Sequence, residues 1–210
     1  MPSPRSARPP RTRTRRYHHG DLERALLQEA LRTIQAEGVE ALTLRAVAKA
    51  LGVSRTALYR HFAGKSALLS AVAREGFRTL RLQLLAAWDQ HNRGRQGFEA
   101  MGVAYVGFAV AHPAHYRVMF GGFVSTHATD PELMAEASGA FKALVDALVT
   151  LQHGGLVRED DPLQLARFIW AIVHGIARLA IDGQLHGSDV EIEALTRFAI
   201  DRLRTGIGRS

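Results

Sequence analysis

A chain of 210 residues, 47% of them hydrophobic, is long enough to bury a sizeable core, and a formal net charge of +7 favours polyanionic partners, nucleic acid first. The absence of cysteine excludes a disulfide framework and thiolate metal sites, and fits a reducing, cytoplasmic setting. Charges and glycines interrupt the apolar runs before they reach the length of a membrane span, and no apolar segment follows the arginine-rich start as it would in a signal peptide, so no membrane role is expected.

Residues 1–16 read as a disordered basic arm. Pro2, Pro4, Pro9 and Pro10 oppose helix, nothing apolar is available to bury, and Arg5, Arg8, Arg11, Arg13, Arg15 and Arg16 suit a DNA backbone or an adjacent minor groove. Asp21 is a candidate N-cap for a first helix whose inward positions are Leu22, Leu26, Leu27, Ala30, Leu31 and Ile34, closed by Gly38.

The stretch Leu42 to Phe62, LTLRAVAKALGVSRTALYRHF, has its own grammar. Thr43 caps a short helix over Leu44–Leu51, Gly52 ends it, and Ser54 caps a second short helix over Arg55–His61 that turns Leu58 and Phe62 inward. Two short helices joined by a tight glycine turn form a helix-turn-helix, whose second helix lies in the major groove. That helix presents Arg55, Thr56, Ala57, Tyr59 and His61 toward bases or phosphates. Gly64-Lys65-Ser66 opens a fourth helix, and a lysine at a helix N-terminus is electrostatically misplaced unless an anion such as a DNA phosphate sits there.

Beyond a polar loop at residues 91–97, the pattern predicts a fifth helix from about Phe98 to Ala111 and a short sixth from Pro113 through Phe120. Asp130-Pro131-Glu132 and Asp161-Pro162 start the seventh and eighth helices, and Asp189 starts the ninth. The eighth, Leu163–Ile181, is apolar almost all round, which argues for burial or sharing with a partner; Ala171 and Gly175 leave room for another helix to come close. No strand alternation and no internal repeat is evident.

The run from Tyr17 to about Val72 strongly resembles the TetR/AcrR family of transcriptional regulators. The features that carry the resemblance are the first helix ending at Gly38, then LTLRAVAKALGVSRTALYRHF, then GKSALLSAV. The resemblance implies that Arg45, Arg55, Thr56 and Ala57 face bases and that Thr43, Tyr59, His61 and Lys65 hold phosphates, with Ser54 at the start of the recognition helix completing the DNA-binding set. Arg55 and Thr56 stand where the family varies, so the operator is not readable from them. HPAHYRVMF at His112–Phe120 and the Trp170–Gly175 segment resemble the subgroup named for a Trp-His-Gly element, which implies a helical regulatory domain that dimerises through its last two helices.

The expected fold is all-α with about nine helices. The basic arm occupies residues 1–16, a three-helix helix-turn-helix DNA-binding domain 17–64, and a helical ligand-binding and dimerisation bundle 65–210. Met101, Tyr105, Phe108, Tyr116, Phe120, Phe123, Phe141 and Trp170 form the candidate lining of an apolar site between helices. The expected function is a cytoplasmic, nucleoid-associated homodimer that binds a pseudo-palindromic double-stranded operator and is released from it by a small-molecule effector. A DNA-binding regulator without a small effector is the alternative. A metal-dependent helical enzyme is a further one: the pairs His18-His19 and His112 with His115 lack a third ligand, and no nucleophile motif occurs, so neither metal, cofactor nor catalytic residue is expected.

Overall fold

The computed structural model describes residues 19–124 and 130–207. The basic arm, Tyr17 and His18 lie outside the described residues. Nine α-helices and no strand occur among the described ones: α1 (His19–Glu37), α2 (Leu44–Ala50), α3 (Arg55–Tyr59), α4 (Lys65–Gln90), α5 (Arg95–Ala111), α6 (Pro113–Phe120), α7 (Pro131–His153), α8 (Pro162–Ile181) and α9 (Asp189–Ile207).

Local chemistry sets most boundaries. The Thr43 hydroxyl accepts from the Ala46 amide at 3.1 Å to open α2, and the Ser54 hydroxyl accepts from the Ala57 amide at 3.1 Å to open α3. Between them Gly52 takes a φ of +66°, the left-handed turn that a side chain would strain. Asp130 and Asp161 cap α7 and α8 through their carboxylates, each with proline as the next residue. Three boundaries differ clearly from the expected ones: α3 ends at Tyr59, two residues short of His61, and two helices start elsewhere. The first helix begins at His19, so Asp21 lies inside its first turn and favours the dipole there instead of capping it. The fifth begins at Arg95, three residues early, from an N-cap glycine, Gly94, that supplies no side-chain bond; in its first turn Gly97 sits under the Trp88 ring, where a Cβ would come within 2.9 Å.

The helices enclose two apolar cores. The smaller gathers Leu26, Ala30 and Ile34 of α1, Val47 of α2, Leu58 of α3 and Leu68 and Val72 of α4. The larger lies among Leu80, Leu84 and Trp88 of α4, Met101, Tyr105 and Phe108 of α5, Ala147 and Leu148 of α7, Ile169 and Val173 of α8, and Ile200 of α9. One helix, α4, runs through both; at 1.5 Å per residue its 26 residues span about 39 Å. Halfway along it the buried Gly76 lets α6 cross closely, since a Cβ there would lie 3.2 Å from that of His115 and 2.5 Å from the Met119 sulfur. Arg74 with Glu132, and Arg81 with Glu136 at 2.9 Å, pin α7 along the same helix. Arg117 of α6 donates to the Ile181 carbonyl at 2.9 Å, closing the C-terminal end of α8.

By length and mean hydropathy, α8 is apolar enough to cross a membrane, despite Arg167 and Arg178, which departs from the expected shortness of the apolar runs. The fold gives another reason for its composition. Leu165, Ala166, Ile169, Val173 and Ala177 form a buried stripe, while Leu163, Phe168 and Leu179 are bare. On α9, Val190, Leu195 and Phe198 are exposed as well, Phe198 by 59%.

Candidate nucleic-acid interface and internal cavity

The polar end of the small core is the surface formed by α2, α3 and the start of α4. Arg45, Thr43, Ser54, Arg55 and Thr56 are exposed there, Ala57 is half-buried, and the Tyr59 ring is 53% exposed. None of Arg45, Lys49, Arg55 and Arg60 has a hydrogen-bond or ion-pair partner among the described residues, so their charge is available to a polyanion. Lys49 and Arg60 were not among the expected contacts; the motif carries their charge, but only the fold reveals that both are exposed on it. The hydroxyls of Thr43 and Ser54 spend lone pairs on their caps and keep a proton to donate.

Two expected contacts have partners within the chain. Lys65 donates through its ammonium to the Glu40 carbonyl at 3.1 Å, which fixes the side chain over the α1–α2 connection and leaves two of its three donors. His61 lies beyond α3, which ends at Tyr59, and its Nδ1 stands 4.0 Å from a Glu23 carboxylate oxygen, turned toward α1.

The second feature is a cavity of about 330 Å³ in the larger core, inside the range of small-molecule sites. Of the expected lining, Met101, Tyr105, Phe120, Phe141 and Trp170 face it. The others are elsewhere: Phe108 stacks on His112 with ring centres 5.2 Å apart, Tyr116 is fully buried, and Phe123 packs against the smaller core. Phe77, Leu80 and Leu84 of α4, Phe98 of α5, Ala137 of α7, Arg167 of α8 and Ile200 of α9 are among the other wall residues and were not foreseen.

Behind the cavity a polar chain is closed on itself. The Trp170 indole N–H donates to the Tyr105 hydroxyl at 3.0 Å, the Tyr105 and Tyr116 hydroxyls are 3.3 Å apart, and the Tyr116 hydroxyl lies 2.7 Å from His174 Nδ1. One direction satisfies every member: indole to Tyr105, Tyr105 to Tyr116, Tyr116 to an accepting, neutral His174. Tyr105 also lies 3.0 Å from the same nitrogen. Burial lowers the His174 pKa, helped by the Arg178 charge, and the chain agrees with that direction, because a proton on Nδ1 would reverse it and leave the Tyr105 hydroxyl proton without an acceptor. Burial likewise pushes the Tyr105 phenol up to about 12 and the Tyr116 phenol higher. Both phenols therefore stay neutral, as a hydrogen-bonded core requires.

His112 and His115 pack edge to face with ring centres 5.8 Å apart. Among the described residues no group of three or more acidic or histidine side chains is placed to hold a metal ion.

Residues 26–72 match the family model described as bacterial regulatory proteins, tetR family, and residues 98–203 the one described as tetracyclin repressor-like, C-terminal domain. A solved structure from Rhodococcus sp. RHA1, described as a protein with unknown function, is 32% identical and superposes with a TM-score of 0.80, the match covering 93% of this chain and 100% of that one. An uncharacterized HTH-type transcriptional regulator of Mycobacterium tuberculosis is 26% identical, over 88% of this chain and 81% of its own length. The TetR family transcriptional regulator PfmR of Thermus thermophilus shares the fold at 21% identity and a TM-score of 0.70, covering 88% of this chain and 99% of that one.

Proposed function

Because the chain belongs to the TetR family of bacterial regulatory proteins, DNA-binding helix-turn-helix transcriptional regulators, we propose that it is a homodimeric repressor released from a pseudo-palindromic operator by a small molecule. The observation that carries this reading is the path of α4. Its N-terminal residue, Lys65, lies beside the recognition module, and its later residues Phe77, Leu80 and Leu84 wall the cavity. A ligand that favours one shape of that wall shifts the rod on which the recognition helix is mounted, and only a difference in affinity between the two shapes can move the equilibrium.

In this reading residues 17–64 read DNA and residues 65–210 bind ligand and dimerise, with α4 coupling them. Arg45, Arg55, Thr56 and Ala57 face bases; Thr43, Ser54, Tyr59, His61 and Lys65 position the phosphates, and the arm over residues 1–16 adds non-specific attraction. The bare apolar side of α8 and α9 supports a partner seated there, and a symmetric pair is what two half-sites one helical turn apart require. The Trp170, His174 and Gly175 segment supports assigning the regulatory domain to the Trp-His-Gly subgroup.

Selection of bound sequences from random duplex DNA, followed by operator affinity with and without a cavity ligand, tests the reading. A palindromic consensus and weaker binding in the presence of ligand are expected. A ligand that binds the cavity and leaves operator affinity unchanged rules out induction by this route and favours a regulator without a small effector.

A further inference from the structure

We propose that the cavity takes an amphipathic acid, a ligand with an apolar body and one anionic head group that meets Arg167. The inference rests on the cavity being the effector site and adds the chemical class of the effector.

The lining holds one charged side chain, Arg167, and no carboxylate. That guanidinium has no hydrogen-bond or ion-pair partner among the described residues. Arg81 is paired with Glu136, Arg178 with Asp182, and Arg197 with Glu99 and Glu193; Arg78 and Arg95 are also without a partner among the described residues, but neither lines this cavity. The remaining polar groups of the lining are spent on one another, since the Trp170 indole donates to Tyr105 and Tyr105 continues to Tyr116 and His174. A ligand therefore finds one set of open donors in this wall, and that set is cationic. A neutral ligand gains apolar burial and at most a hydrogen bond without charge pairing, and a cationic one brings like charge to Arg167. A carboxylate matches the guanidinium fork with two parallel hydrogen bonds.

Position sets polarity. Arg167 lies three residues before Trp170 on the same helix and is exposed, whereas Met101 and Leu84 are buried, which puts the head group at the rim and the apolar body inside. At about 30 Å³ for each water-sized volume, the 330 Å³ space admits roughly ten to twelve non-hydrogen atoms. A medium-length acyl or aryl-alkyl carboxylate fits.

The test uses three probes of one length on the full chain: decanoate, decanol and decylammonium, each below its micelle concentration, with binding read by calorimetry. Decanoate is expected to bind, decanol at least about tenfold more weakly, and the cation not measurably. Arg167→Gln should weaken decanoate about ten- to a hundredfold, as loss of a charged hydrogen bond does, with decanol unchanged. Arg167→Lys should restore part of the loss. Ala137→Phe, which fills the cavity from α7, should abolish binding of both decanoate and decanol. Decanol binding as tightly as decanoate, or a decanoate affinity indifferent to Arg167→Gln, overturns the acid assignment and leaves the cavity as a site. No binding by any probe, or binding that survives Ala137→Phe, overturns the cavity itself.

Discussion

His115 is the least comfortable side chain in the described structure. Its Nε2 is buried without a hydrogen-bond partner among the described residues, and Glu75, at 3.9 Å and half-exposed, is too far to bond it. Burial, and then the neighbouring His112, bring its pKa down to about 4 from the ordinary 6.5, so burial outweighs the acidic neighbour. The consequence for stability has a definite sign. Above pH 6.5 the ring is neutral folded and unfolded; between 6.5 and 4 only the unfolded chain takes the proton, so stability falls with falling pH and levels off below 4. The loss from this one group is about 3 kcal/mol at 1.36 kcal/mol per pH unit. His115→Phe should remove that part of the slope, and urea unfolding at pH 7 and pH 4.5 measures it; parallel losses in the two proteins would exclude His115 as the source. At the DNA-facing end, Arg55→Ala should cost about 1–3 kcal/mol per half-site on the selected operator and relax preference at one base position. Lys65→Ala should instead weaken operator and scrambled duplex alike and reduce the salt slope by about one unit per lost contact. Equal losses on both duplexes for Arg55→Ala would show that it touches only backbone.

At the scale of elements, the exposed side of α8 and α9 makes the most direct prediction. Phe168 is 51% exposed and Phe198 59%, and nothing lies within 4 Å of the position a Cβ would take at Gly175. Phe168→Glu or Gly175→Glu should give a folded monomer with weak operator binding, read by light scattering at micromolar concentration. A wild-type chain that is monomeric under those conditions would contradict the dimer. The helices themselves were largely legible because their causes are local: Thr43 and Ser54 cap as hydroxyls do, and Asp130-Pro131 and Asp161-Pro162 start helices wherever they are placed. The early start of α5 was not legible, since its N-cap is Gly94 and no capping side chain marks the boundary. The cavity was half legible for a similar reason. Helical period marks Phe108 and Tyr116 as inward, but inward includes the packed layer behind the cavity as well as its wall. Arg167 gave no sign, because a charge on an apolar helix reads as a solvated residue until its neighbours are known.

For the whole molecule, the two cores meet on one rod, α4, close to where α6 crosses it at Gly76. Phe77 and Met119 touch both cores. If cavity and recognition face are coupled this way, the coupling is reciprocal. A ligand that weakens operator binding by a given factor must itself be bound more weakly, by the same factor, when operator is present. Decanoate affinity measured on free protein and on the protein–operator complex checks this; equal affinities would mean that the two sites do not communicate.

The hydroxyl that caps α3 also has a genetic consequence. Aspartate caps a helix as well as serine, so Ser54→Asp should preserve the bond to the Ala57 amide, the melting temperature and the apolar face of α8 and α9. It would also set a carboxylate against the DNA phosphates. A cell carrying this allele beside the wild type would fill half-sites with mixed pairs in which one partner cannot hold on. On the proposed reading of a dimeric repressor, the allele should therefore be dominant, derepressing the target genes in a merodiploid, whereas a deletion of the same gene should be recessive. A Ser54→Asp allele that is recessive at equal expression would mean that the two products do not pair.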